Sequence, residues 1–186
     1  FSLGAMGKPA WSPDGQRIAI VGVEWTEEWA DLDDEERSRR PRRITRRDYR
    51  VDGLGWTHDR RRQIYVVDVD GDEFPRRLTD GDAHESKPVW SPDGSTIAFL
   101  TDLSDRPGYQ PTGDVAVAAA EGGSAQPVAP PGSWFVLAYD PNGALHALGN
   151  PGNDFPELPG LWRLEDEPRP WVSEPDRAFF TLTGGP

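Results

Sequence analysis

The sequence contains no cysteine, and this absence excludes two kinds of structure. Without thiols the chain can form neither a disulfide nor a thiolate-bound metal site. Nothing in the sequence therefore indicates an oxidising compartment, and we expect the protein to be cytoplasmic.

Long apolar runs are missing and positive charge is in deficit. No stretch of about 18 consecutive apolar residues occurs, so we expect no membrane-spanning helix and no membrane partner. Residues 1–7 lack the basic and apolar regions of a signal peptide, and the chain does not begin with Met, so we interpret Phe1 as an internal start. The net charge of −12 would repel phosphate, which argues against a nucleic-acid partner.

Residues that bind metals or phosphates are few. The three histidines, His58, His84 and His146, lie in different parts of the sequence without partners at metal-ligand spacing. The alternating aspartates of residues 68–72 lack the glycine and distal glutamate positions of a calcium loop, and no glycine-rich phosphate loop occurs. We therefore predict no metal site and no cofactor.

Turn-forming and aromatic residues, in contrast, are abundant. The chain has 20 glycines, 19 prolines and 8 tryptophans. Such a composition, with many Val, Ile and Thr residues, is typical of short strands joined by tight turns. The sequence predicts an all-β fold.

One motif occurs twice in nearly complete form. Residues 8–21 read KPAWSPDGQRIAIV, and residues 87–100 read KPVWSPDGSTIAFL. In each copy a strand ends at Trp, a Ser-Pro-Asp-Gly turn follows, and a second apolar strand begins. Proline at the second turn position fixes φ near −65°, and glycine at the fourth position leads the chain back antiparallel. The motif therefore predicts a strand reversal.

Further repeats extend this motif into a larger unit. A hairpin over residues 64–78 resembles one over residues 115–128, and residues 139–148 resemble the Trp90 motif. Trp90 follows Trp11 by 79 residues and Tyr139 follows Trp90 by 49, the difference being close to the length of a charged segment at residues 24–50. From these repeats we predict four units, at residues 1–25, 49–102, 113–149 and 160–186.

Four-stranded units of about 40 to 50 residues are typical of β-propeller blades. A β-sandwich is the other all-β candidate, but its strands need no repeat of this length. We therefore predict a partial β-propeller of about three to four four-stranded blades, incomplete as a ring because closed propellers have about four to eight. Either the chain is a fragment of a larger one or a second copy closes the ring; we favour the fragment, and an oligomer stays possible.

The charged segment, residues 24–50, interrupts this pattern. Eight acidic residues up to Glu36 precede eight arginines from Arg37 to Arg50. We expect a short helix near residues 27–36 in a segment that cannot bury itself. Its halves either neutralise each other in a solvated loop, or its arginines line a concave face and hold a carboxylate by bidentate pairing. The candidate substrate-binding residues are Arg42, Arg43, Arg46 and Arg47.

These repeats resemble the propellers of Tol-system proteins and of the prolyl oligopeptidase superfamily of serine peptidases. Residues 42–56, which include the Tyr-Arg-Val-Asp-Gly string at residues 49–53, are more particular. Together with residues 59–64 they resemble the acylaminoacyl-peptidase-like branch, including bacterial aminopeptidases. The resemblance covers about residues 8–102 well and the remainder only through the repeat.

This resemblance implies a noncatalytic lid and size filter above an α/β-hydrolase domain of the same parent chain, with peptides as substrates. The family's nucleophile lies on a Gly-x-Ser-x-Gly elbow, which this chain lacks. The nearest string, residues 122–126, lacks the final glycine, so we predict no catalytic residue and no hydrolase domain here. The alternative is a freestanding Tol-type propeller that binds a protein partner.

Overall fold

The computed structural model describes residues 4–52, 55–72, 74–109, 112–152, 158–165 and 167–171. Within these ranges the chain forms three four-stranded antiparallel sheets and one two-stranded ribbon. None of the three sheets closes on itself, and each has the strand order of a propeller blade. The predicted all-β, partial-propeller fold is confirmed.

The first blade contains β1 (Gly4–Trp11), β2 (Arg17–Trp25), β5 (Arg60–Asp68) and β6 (Arg76–Arg77), in that order. The second contains β7 (Ser86–Trp90), β8 (Thr96–Thr101), β9 (Asp114–Ala119) and β10 (Gln126–Pro127). The third contains β11 (Gly132–Tyr139), β12 (Leu145–Pro151), β13 (Gly160–Arg163) and β14 (Arg169–Pro170). Between β2 and β5 lie α1 (Glu27–Ala30), α2 (Asp34–Arg39) and a ribbon of β3 (Arg50–Val51) and β4 (Gly55–Trp56).

This strand order corrects the predicted blade units. The hairpin over residues 64–78 belongs to the first blade, because Ile20 on β2 pairs with Tyr65 on β5. The predicted unit 49–102 had joined that hairpin to the Trp90 motif, which instead opens the second blade. Strands β13 and β14, assigned to a fourth unit, are the outer strands of the third blade, and the rest of that unit, residues 172–186, lies outside the described residues. The charged segment separates β2 from β5 in sequence and hid this pairing.

The repeat turns (residues 12–15, 91–94 and 140–143) connect the first two strands of each blade. In the first blade the Ser12 hydroxyl donates to Asp14 at 2.6 Å and accepts from the Arg17 amide at 2.9 Å, and Ser91 repeats this arrangement in the second. In the third blade Asp140 replaces the serine and accepts from the Ala144 amide at 2.9 Å. The predicted strand reversal is present in all three copies.

Apolar side chains alternate between the two faces of the second blade. Ile97 and Phe99 join a buried cluster with the first blade, whereas Ala98 joins a second cluster with the third blade. The indole of Trp90 also donates to the Ala10 carbonyl oxygen of the first blade at 2.9 Å. The second blade is thus buried on both faces, as expected for a blade that packs between two neighbouring blades.

Both helices lie in the segment between β2 and β5 and are short. Within the described ranges no helix has the length and apolar character needed to cross a bilayer.

Candidate functional site

The charged segment is part of a structured insertion, residues 26–59, between β2 and β5. It leaves and rejoins the first blade at neighbouring positions, since Trp25 pairs with Arg60. Helix α2 begins with a capping box, in which Asp33 and Glu36 each accept a hydrogen bond from the other's backbone amide. Its described residues form α1, α2 and the β3–β4 ribbon, so two short helices stand where one was predicted near residues 27–36.

Tryptophans and arginines anchor the insertion to the first blade. The Trp25 ring lies between Arg37 and Arg60, whose guanidinium carbons are 4.4 and 4.5 Å from its centroid. Trp29 is buried and packs against Arg42 at 4.6 Å. A desolvated cation over an aromatic face gains energy while its charge remains available for hydrogen bonds. These contacts bury Trp29 and hold the segment against the first blade, while most of the segment's charged side chains remain exposed.

Arg42 is committed to an internal ion pair. Its Nε and Nη2 atoms donate to one carboxylate oxygen of Asp59 at 3.0 and 2.7 Å. Asp59 is fully buried, and Arg42 also stacks on Trp56 at 5.0 Å. A buried charge pair of this kind is costly to break, because removal of one partner leaves the other desolvated and unpaired. Arg42 therefore holds the base of the insertion in place.

Arg46 is also committed to partners within the protein. Its guanidinium donates to both carboxylate oxygens of Asp48, at 2.9 and 3.2 Å, and contacts an Asp82 carboxylate oxygen at 2.9 Å. Arg61 binds the other Asp82 oxygen, its Nε donating at 2.6 Å. Gly108 packs so closely on Asp48 and Arg46 that a Cβ atom there would collide with their side chains. The Arg46 network thus joins the insertion to the first two blades.

The remaining two candidates, Arg43 and Arg47, are exposed. Arg47 donates its backbone amide to the Gly108 carbonyl oxygen at 3.1 Å, and its side chain borders a pocket. The structure therefore divides the four predicted substrate-binding arginines into an inward pair, Arg42 and Arg46, and an outward pair. Their binding role stays a prediction.

The pocket beside Arg47, which we call the charged pocket, has a volume of about 400 Å³. It lies at the end of the blades opposite the repeat turns, because β5 runs antiparallel to β2 and begins there. Its walls come from the insertion, the first blade and the second blade: Arg46, Arg47, Asp48, Arg62, His84, Thr101, Asp102, Gly108, Thr112 and Gly113. Sequence reasoning missed Arg62, because an arginine in a strand next to two other arginines gives no sign that it faces a pocket.

Among the titratable groups near this pocket, His84 and Glu85 have strongly shifted pKa values. Burial, with a smaller effect from Arg62, lowers the pKa of His84 to about 4. Burial raises the pKa of Glu85 to about 8, against the opposing effects of the Thr101 hydroxyl, which donates to it at 3.0 Å, and of Arg62. At neutral pH both side chains are therefore mainly uncharged.

A second, larger pocket of about 600 Å³ lies at the repeat-turn end. Equivalent aromatic residues of the three blades, Trp11, Trp90 and Tyr139, line it together with prolines of the repeat turns. Trp11 is 58% exposed although the equivalent Trp90 is buried. The difference arises because Trp90 packs on the first blade, whereas no described residue supplies a blade on the Trp11 side.

No group of three or more His, Cys, Asp or Glu side chains converges as a metal site in the described parts of the chain. The closest pairing of this type is His146 with Asp140, 3.4 Å apart, and the imidazole stacks on Trp171 at a centroid distance of 3.8 Å. These contacts give His146 a packing role in the third blade.

Comparison with known proteins shows that this chain is similar to parts of peptidases. No protein-family model matches the chain. An uncharacterized peptidase of Bacillus subtilis (strain 168), YuxL, is 32% identical over 104 residues, which make up 54% of this chain and 15% of that protein. The chain thus spans only a small part of this curated relative.

Solved structures show the same architecture. An uncomplexed acylaminoacyl peptidase of Pyrococcus horikoshii matches 94% of this chain and 26% of its own, with a TM-score of 0.63 and 19% identity. The β-propeller domain of the Trilobed protease from Pyrococcus furiosus matches 91% of this chain and 43% of its own, with a TM-score of 0.53 and 13% identity. The resemblance inferred from the sequence is confirmed at the level of the fold: the described residues form three consecutive blades of a propeller like those in these peptidases.

Proposed function

We propose that this chain is the noncatalytic propeller part of a serine peptidase of the prolyl oligopeptidase superfamily. The observation that carries the proposal is the likeness of its three consecutive blades to an acylaminoacyl peptidase over 94% of the chain. The 32% identity to a peptidase over about half of the chain supports the same class. The activity would then belong to the whole parent protein.

In this proposal the propeller screens peptides above an α/β-hydrolase domain of the same parent chain. The insertion lies at the end of the blades away from the repeat turns and presents Arg43 and Arg47 to solvent, while Arg42 and Arg46 hold its shape. Cationic side chains at a channel mouth raise the local concentration of anionic groups and orient them. We infer that the insertion borders the route by which peptides enter, in a cytoplasmic enzyme.

The test compares this 186-residue chain with the complete protein that contains it. We expect the complete protein to hydrolyse short chromogenic peptides and to lose that activity after treatment with a serine-directed phosphonate. The chain alone is expected to show no hydrolysis, because its sequence has no nucleophile elbow. The proposal would be contradicted if the complete protein cleaved neither peptides with an acylated amino terminus, nor peptides with a free amino terminus, nor internal peptide bonds.

A second candidate is a freestanding Tol-type propeller that binds a protein partner. It is favoured by the match to TolB from Acinetobacter baumannii, which covers 86% of this chain with a TM-score of 0.50 and 15% identity. The intact mass of the natural protein separates the two. A natural protein close to 20.6 kDa without peptidase activity would support this second candidate.

A further inference from the structure

We propose that the charged pocket binds the terminal carboxylate of a peptide through Arg47 and Arg62. This inference deepens the proposed function and rests on it for the identity of the ligand. It starts from one observation: Arg47 and Arg62 both line this pocket, which lies at the junction of the insertion with two blades.

Arg62 is a desolvated cation without a direct partner. Its side chain is half-buried, and its Nε atom is buried with no hydrogen-bond acceptor among the described residues. Burial lowers its pKa, while the more distant charges of Asp48 and Glu85 oppose that effect. The buried Nε itself is out of reach of a ligand, but the guanidinium charge lies at the pocket wall without an ion-pair partner among the described residues, and a bound anion would neutralise it. Arg62 is therefore available to a ligand, unlike its neighbours in the Arg46 network.

The walls around Arg62 are already fixed. Arg46 is held by Asp48 and Asp82, and the Arg47 backbone amide is anchored to Gly108. The Asp102 carboxylate accepts from the Gly108 amide at 2.7 Å and so fixes the loop that closes the pocket. The ordering cost of binding therefore falls mainly on the Arg47 and Arg62 side chains, since the rest of the wall is held by these contacts.

The charge balance of the pocket favours a singly charged anion. Three arginines and two aspartates line it, and His84 and the adjacent Glu85 are mainly uncharged at neutral pH. One positive charge is therefore left over, which one carboxylate neutralises. A volume of about 400 Å³ holds a carboxylate with the end of a peptide but is small for a folded partner.

The probe is N-acetylglycine, with its carboxamide as the uncharged analogue and inorganic phosphate as a competing anion. Isothermal titration calorimetry on the complete protein measures binding to the wild type and to the variants Arg47→Gln, Arg62→Gln and Arg43→Gln. Arg43 lies in the same segment and is equally exposed but is not in the pocket wall, so it is the matched control. Arg47 is exposed, so its replacement leaves folding intact even where loss of Arg62 does not.

We expect N-acetylglycine to bind, its carboxamide not to bind, and Arg47→Gln and Arg62→Gln to weaken binding by about tenfold or more. Equal binding of acid and amide, or equal weakening by Arg43→Gln and Arg47→Gln, would overturn the proposal. Phosphate binding that depends on Arg47 without acetylglycine binding would overturn the peptide carboxylate as ligand. Hydrolysis with no acetylglycine binding would leave the proposed function standing and reject only this pocket.

Discussion

Arginine side chains in the insertion have two structural roles that depend on their nearest carboxylate. Arg42 reaches the fully buried Asp59, and Arg46 reaches Asp48 and Asp82, so both charges are neutralised within the protein. Arg47 borders the charged pocket with no ion-pair partner among the described residues. At the residue scale, the partners therefore decide which guanidinium groups can meet a substrate.

Glu85 gives a test of the buried cluster through the pH dependence of stability. Its pKa is raised to about 8, so the folded state retains a proton that the unfolded state loses above about pH 4.5. The folded state is thus favoured at low pH, and that contribution is lost as pH rises toward 8. We expect Glu85→Gln to gain stability relative to wild type between about pH 5 and about pH 9, measured by urea unfolding.

The lowered pKa of His84 does not disturb this comparison, because His84 is present in both proteins. Arg62, Asp102 and the Thr101 hydroxyl also face Glu85 and are likewise unchanged. A stability difference between Glu85→Gln and wild type that stays constant over this range would show that Glu85 is ionised in the fold.

The sequence predicted some of these residue roles and missed others. The charge blocks led us to predict a binding role for the arginines at 42, 43, 46 and 47, but ion pairing depends on Asp59 and Asp82, which approach only after β5 pairs with β2. Glu85 and Arg62 carry no local motif, and their burial follows from packing between the first two blades. Contacts distant in sequence therefore set the candidate site.

The repeat turn is the element that the sequence predicted best. Gly15, Gly94 and Gly143 adopt φ values of 70°, 70° and 88°, the left-handed region that the turn motif requires at this position. The information is local, because four consecutive residues fix the reversal. The outer strands of the first blade were predicted less well, since β5 pairs with β2 across the insertion.

Gly94 tests the turn as an element. A Cβ atom there would meet only Pro13 at 3.6 Å, an ordinary contact, so the cost of Gly94→Ala is a backbone cost. We expect a loss of about 1–2 kcal/mol in the free energy of unfolding, measured with urea. Gly94→Asn is the matched variant and should lose less, because asparagine tolerates the left-handed region. Equal losses for Ala and Asn would point to a packing cause.

At the scale of the whole molecule, the three blades pack side by side in chain order. The second blade is buried on both faces, whereas Ile18, Ile20 and Val67 on the free face of the first blade are only partly buried. Each blade buries its apolar faces against a neighbour, and the sequence repeat predicted this architecture correctly.

The insertion is the part of the molecule to which we assign a role in substrate entry, and its two ends lie side by side, so it can be deleted without breaking the blade. Because Trp25 and Arg60 are cross-strand partners, residues 26–59 can be replaced by a two-residue Asn-Gly turn that joins β2 directly to β5. The blade core contains no residue of the insertion, so we expect the excised protein to keep a β-rich circular dichroism spectrum and cooperative unfolding. The variant thus removes the proposed gate without removing the blades.

The most direct measurement of the central claim is the ratio of kcat/KM values for a short and a several-fold longer peptide with the same scissile sequence. We expect the complete protein to prefer the short peptide strongly and the excised variant to lose that preference while it retains activity on the short peptide. An unchanged ratio in a folded, active excised variant would contradict the account of the insertion as part of a size filter.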